Sequence, residues 1–240
     1  MARPAAAFDA RRYFRTDVDL GFLNVGTDAV RAMAKGIVRT HRDLWTVDDA
    51  LAFAEDLVAD RVLEAKALGV EVLACYRRDF APRLLASWKR WLRTGWSSNW
   101  ATTDAICGSL IGPLLVATPR LVPRVAAWSR DRNLWVRRAS AVALIPGLRR
   151  GFALDEAYEV ARLLHSDRAD LIQKAVGWML REAGKIDAMR LERYLRANGP
   201  TIPRTTVRYA IERFDPVARS RLLKATLGER GSRPSSASHG

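Results

Sequence analysis

Apolar residues recur along most of the chain at intervals of three and four, the spacing of helices that bury one face. The pattern predicts helices over 28–40, 47–60, 61–76, 82–94, 100–117, 119–129, 134–145, 155–165, 168–184, 187–197, 203–214 and 216–227. Asp28 is expected to cap the first, and Pro82 to open the fourth at a first-turn position. Strand signals are scarce: no Asn-Gly or Asp-Gly stands between strand-like runs as in a hairpin, and there is no sustained apolar alternation. Connections of two to six residues, often with Gly or Pro, fit an all-α fold. A dozen short helices with tight turns makes either a globular bundle or a solenoid of helix pairs. No linker interrupts 1–228, so one continuous domain is expected there, followed by a polar, disordered tail over 229–240.

The 240 residues are 49% hydrophobic and 28% charged, enough for a sizeable core. No uninterrupted apolar run reaches membrane-spanning length, and the N-terminus lacks the apolar stretch of a secretory signal, so neither a membrane span nor export is expected. The only cysteines, Cys75 and Cys107, stand in apolar sequence and form no disulfide framework or zinc motif. These features suggest a cytoplasmic protein.

Charge changes the picture. The net charge is +14. Residues 119–150 hold eight Arg against one acid, Asp131, so half the excess lies in 32 residues. Such clustering points to a polyanionic partner, with nucleic acid the commonest. A genome-wide preference for Arg would account for the total more readily than for the clustering.

The usual catalytic signatures are missing. No triad, phosphate-binding glycine loop or metal-ligand spacing occurs. His41, His165 and His239 are scattered and read as surface or capping residues. The glycines of GSLIGPLL read as close helix packing. What stands out is one isolated acid among tryptophans. Trp100 and Asp104 share a helix face at i, i+4, and Asp104 is the only charge between Ala101 and Thr118. Such an acid faces solvent, meets a cation or performs chemistry. Arg138, three residues after Trp135, could grip phosphate bidentately or lie along the surface. Lys174, Trp178, Arg181 and Lys185 fall on one face, either a core Trp rimmed by cations or a platform for a nucleotide. Arg204 and Arg208 stand one turn apart, placed to meet a backbone phosphate. The intervals from Trp100 to Arg138 and on to Trp178 are 38 and 40 residues, which would put them on equivalent helices of successive repeats facing one concave surface.

The stretches NWATTDAICGSLIG, NLWVRRASAVALI, IQKAVGWMLREAGK and PRTTVRYAIERF occur in that order. Together they resemble the AlkD-type DNA alkylation-repair glycosylases, over nearly the whole chain from RRYFRTDVDLGFLNVG onward. The resemblance implies a HEAT-like helical-repeat solenoid with a concave basic face that curves around duplex DNA as a monomer. It implies a catalytic cleft of Trp100, Asp104 and Trp178, with Arg138, or the adjacent Arg137, contacting DNA. It also implies excision of cationic N3- or N7-alkylated purines without drawing the base into a pocket, and no metal or cofactor. Some relatives bind DNA without excising bases, and some act on bulky adducts. A non-catalytic DNA binder and a scaffold for an acidic protein partner are therefore the rival readings.

Overall fold

The computed structural model describes Phe14 and residues 20–227; the expected tail over 229–240 lies outside them. The chain is an all-α solenoid of helix pairs, and among the described residues no strand forms. Its helices are α1 (Thr27–Thr40), α2 (Val47–Ala59), α3 (Leu63–Ala74), α4 (Leu84–Arg93), α5 (Trp100–Ile106), α6 (Gly112–Ala117) and α7 (Val122–Ala126). There follow α8 (Leu134–Val142), α9 (Ile145–Leu148), α10 (Leu154–Leu163), α11 (Asp170–Ile186), α12 (Ala188–Asn198), α13 (Arg204–Ala210) and α14 (Pro216–Ala225). Each falls within or beside a stretch of predicted apolar periodicity.

The helices sort into two layers. α1, α3, α5, α8, α11 and α13 pack each against the next and form an inner row. α2, α4, α7, α10, α12 and α14 form the outer layer. Trp100, Arg138 and Trp178 lie on α5, α8 and α11, three successive members of the inner row. One buried cluster runs from Ala50 to Leu222, with Trp88 and Trp91 of α4 among its largest members.

Charge pairs tie repeat to repeat. Arg83–Asp48, Arg90–Glu55, Arg138–Asp104, Arg149–Glu182, Arg190–Asp155 and Arg181–Glu212 all join residues 31 to 35 apart. That interval is about one helix pair with its turns, so the period is written in ionic partners more clearly than in repeated sequence.

Local chemistry fixes the helix ends. Thr46 and Asp49 make a reciprocal capping box on α2. Asn99, Asn133, Asp187 and Asp215 cap α5, α8, α12 and α14. Asp28 does not cap α1. Gly26 holds the N-cap position, and Asp28 sits in the first turn, where its charge complements the helix dipole. Pro82 precedes α4 rather than starting it.

The predicted helix over 100–117 is continuous but holds one wide turn, a π-helical segment at Cys107–Ile111. The Gly112 N–H reaches back five residues to the Cys107 carbonyl. Pro113 follows and has no N–H to offer the preceding turn, which favours the extra residue. A Cβ on Gly112 would lie 2.3 Å from Pro146 Cγ, so this glycine serves close packing as expected. The span Trp100–Ala117 has the length and apolarity of a membrane-crossing helix. Its apolar side, from Ile106 to Leu115, is packed inside the core. Cys107 is buried there, whereas Cys75 is exposed at the end of α3, contrary to the apolar setting its neighbours suggested.

The contact between α11 and α13 also needs a glycine. A Cβ on Gly177 of α11 would lie 2.4 Å from Tyr209 Cβ and 2.8 Å from the Thr206 carbonyl oxygen. Gly177→Ala is expected to destabilise the fold by about 1–3 kcal/mol through overpacking. Gly36→Ala, in α1 where an added methyl meets nothing within 4 Å, is expected to be neutral or to stabilise by up to about 1 kcal/mol. Denaturant unfolding of both variants checks the contrast; equal effects would remove close approach as the cause.

Candidate active site

α5 begins where Asn99 accepts the Thr102 N–H at 2.8 Å, and the Thr103 hydroxyl donates to the Ser97 carbonyl at 2.9 Å. These buried bonds fix the start of the helix. They place Trp100 at its first residue and Asp104 one turn further on. Trp100 is 37% exposed. Its ring stacks on Phe14 at 5.4 Å and 16°, and Phe14 in turn leans on Phe22. Behind Trp100 a cavity of about 250 Å³ opens between α1 and α3. One wall carries Glu64, which accepts the N–H groups of Leu23 and Val25 and so moors the segment before α1.

Asp104 meets a cation. Arg138 of α8 donates Nε to Oδ1 and Nη2 to Oδ2, both at 2.8 Å. Its Nη1 donates to the Leu171 carbonyl in the first turn of α11. One guanidinium thus bridges three successive inner helices. The Arg138 side chain is 7% exposed and that of Asp104 17%. Burial raises the Asp104 carboxyl above its usual pKa, against the opposing pull of Arg138's hydrogen bonds and charge. The fork geometry of the pair is that of an ionised carboxylate. Each oxygen gives one lone-pair direction to Arg138 and has capacity for a further hydrogen bond.

The remaining predicted residues divide by what they touch. Trp178 lies half-buried against the core on α11, with no aromatic partner among the described residues. On the same helix Lys174 pairs with Asp170 at 2.7 Å, Arg181 with Glu212 of α13, and Lys185 with the buried Glu182 at 2.8 Å. The Arg181 Nε is buried without a partner. Arg137 is not turned outward to a phosphate: it donates Nε to Asp167 at 2.7 Å and Nη1 to the carbonyls of Asp131 and Arg132. Arg204 turns inward as well, reaching Thr226 Oγ1 at 2.8 Å and the Leu223 carbonyl at the end of α14. Both are half-buried, and a half-buried guanidinium requires oxygen partners of its own. Arg208 is exposed and makes no ion pair among the described residues.

Sequence reasoning missed the Phe14–Trp100 stack and the Asp104–Arg138 pair. The second had a signal: its 34-residue separation lies within the 29 to 42 residues that separate the other charge pairs between repeats. His41 closes the last turn of α1 by contact with the Ile37 carbonyl, and His165 contacts the Tyr194 hydroxyl at 2.7 Å. Neither faces the Asp104 site. Among the described residues no cluster of His, Cys, Asp or Glu could hold a metal ion.

No curated protein matches the chain. A solved structure described as a predicted DNA alkylation repair enzyme from Enterococcus faecalis superposes with a TM-score of 0.73 over 82% of this chain and 90% of that one. At 16% identity this is a likeness of fold. A family model for DNA alkylation repair enzymes matches residues 1–214. The chain belongs to the DNA alkylation repair enzyme family.

Proposed function

We propose that the protein is a DNA glycosylase that hydrolyses the N-glycosidic bond of cationic N3- or N7-alkylated purines in duplex DNA. The observation that carries this reading is the Asp104 carboxylate. It is held in a fixed orientation on the inner row, one turn from an exposed Trp, in a strongly basic chain. Alkylation at N3 or N7 gives the purine a positive charge and makes it a good neutral leaving group. Bond cleavage then moves positive charge onto the deoxyribose as an oxocarbenium ion. Such a reaction needs little acid catalysis. It needs a fixed anion near C1′ and a surface complementary to spreading positive charge.

Asp104 fills the first role, stabilising the oxocarbenium ion and accepting a hydrogen bond from the attacking water. Trp100, with Trp178, offers electron-rich faces to the sugar, worth about 0.5–2 kcal/mol per contact. Arg138 is a positioning residue: it aims the carboxylate and opposes the protonation that burial favours. Cations at the rim of the inner row, Arg208 and Lys174 among them, hold phosphates and make binding independent of sequence and sensitive to salt. No metal or organic cofactor takes part in the proposed reaction, and one chain suffices to hold the duplex.

A second reading, a DNA-binding relative without excision, is favoured by one feature: Arg138 engages both oxygens of Asp104. Single-turnover release of 7-methylguanine from a defined duplex separates the two. The wild type is expected to release the base. Asp104→Asn is expected to bind the duplex with similar affinity and to release the base about 10²–10³-fold more slowly. Release by Asp104→Asn at the wild-type rate would remove Asp104 from the chemistry. Duplex binding with no release by the wild type would favour the second reading.

The pH profile gives an independent check. A carboxylate whose folded pKa is raised loses its charge as pH falls through that raised value, so the acid limb of the excision rate is expected above the ordinary Asp range of about 3.9. Arg138→Ala removes the opposing charge and should move the limb to higher pH, with Arg138→Lys intermediate. An acid limb that stays fixed across the three proteins would detach it from Asp104.

A further inference from the structure

Three of the eight Arg in the 119–150 cluster are already accounted for. Arg138 is on Asp104, Arg137 holds a turn and Arg149 pairs with Glu182. Three others gather elsewhere. Lys89, Arg90 and Arg93 of α4 face Arg124 of α7 across a groove of about 670 Å³ on the outer layer. A second depression of about 540 Å³ shares Arg93 and adds Arg130 and Arg132, in the turn before α8. The two run together through Arg93 as one channel.

The channel is organised and remains positive. Asp131, its main acid, has a side chain only 8% exposed beneath Lys89 at 3.3 Å and Arg93 at 2.6 Å. One carboxylate therefore anchors two cations. Lys89 also lies 5.2 Å over the ring of Trp128, which lines the groove. Glu55 offsets Arg90, and Arg130 approaches the exposed Glu159 at 3.7 Å. Arg124 and Arg132 are exposed and make no ion pair among the described residues. Six cations against three acids, two of them free, form a surface for an extended polyanion rather than for a single carboxylate.

We propose that this channel is a second, lesion-independent site for the phosphate backbone of duplex DNA, separate from the inner-row site of Asp104. It rests on the reading of the chain as a DNA-acting protein but not on excision. Its role is to hold undamaged duplex near the inner row while the protein samples bases. The affinity is electrostatic, and each phosphate neutralised adds about 0.9 to the steepness with which log K falls against log salt.

The test is binding of an undamaged duplex several turns long across a salt series. R124E/R130E/R132E alters the channel at residues with little part in the fold, which an unchanged melting curve verifies. It is expected to weaken binding at low salt by about tenfold or more and to flatten the salt slope by about 2–3. Single-turnover excision at saturating protein should not change. A control, R42E/R77E/R78E, makes the same charge change at exposed positions away from the channel. The proposal is overturned if the channel variant keeps the wild-type slope, or if the control flattens it equally. The two readings fail separately. A wild type that excises nothing but shows the channel-dependent slope leaves this proposal standing and removes the glycosylase. Excision by a protein whose slope ignores the channel does the reverse.

Discussion

A guanidinium cannot be buried alone. Its charge and five N–H donors demand oxygens, and losing them costs several kcal/mol. Arg138 meets this demand with the two oxygens of Asp104 and the carbonyl of Leu171. It thereby binds α5, α8 and α11 to one another at the middle of the inner row. Hydrophobic burial drives these helices together but does not choose their register, because it has no direction. The bidentate pair has direction. It sets how far α8 and α11 stand along α5, and so where Trp178 stands relative to the carboxylate.

The same device recurs along the solenoid with different surroundings. On the outer layer the Arg83–Asp48 pair is more than half exposed on both sides, where such a pair is worth little. Glu182, buried between Arg149 and Lys185, is held below the ordinary carboxylate range: burial opposes this, but the two cations outweigh it. At Asp104 the balance tips the other way, and burial wins over a single cation. The difference follows from the number of cations in reach, two against one, since the Glu182 side chain is the less exposed of the two. It also marks Asp104 as an acid whose burial works against its charge, a property expected of a functional group more than of a structural one.

Much of this was legible in the sequence, and the gaps have physical causes. Helix positions follow from apolar period and from capping side chains such as Thr46, Asn133 and Asp215, all local signals. Asp28 misled because a Gly with extended backbone can hold the N-cap and leave the acid at the second position of the helix. The wide turn at Cys107–Ile111 depends on Pro113 together with the close approach of Pro146, thirty-odd residues away. The pairing of Trp100 with Asp104 was readable from their spacing on one helix. The destinations of the arginines were not. Arg137 and Arg138 are adjacent, yet one holds a turn and the other a catalytic candidate, and the choice lies in partners about one repeat distant.

On the proposed reading the Arg138 clamp carries a trade that fixes how the site must work. Without a cation beside it, burial would work unopposed against the charged form of Asp104, the anion that an oxocarbenium ion needs. With the cation hydrogen-bonded to it, part of the carboxylate's field is cancelled before substrate arrives. Electrostatic catalysis depends on a charge that is fixed in place more than on one that is unopposed, since reorienting dipoles during the reaction is the larger cost. A carboxylate held by two bonds, with one lone pair per oxygen not used by Arg138, satisfies that condition. The exposed Trp100 beside it then supplies what the clamp takes away, because an aromatic face attracts a cation without carrying a charge that burial could neutralise.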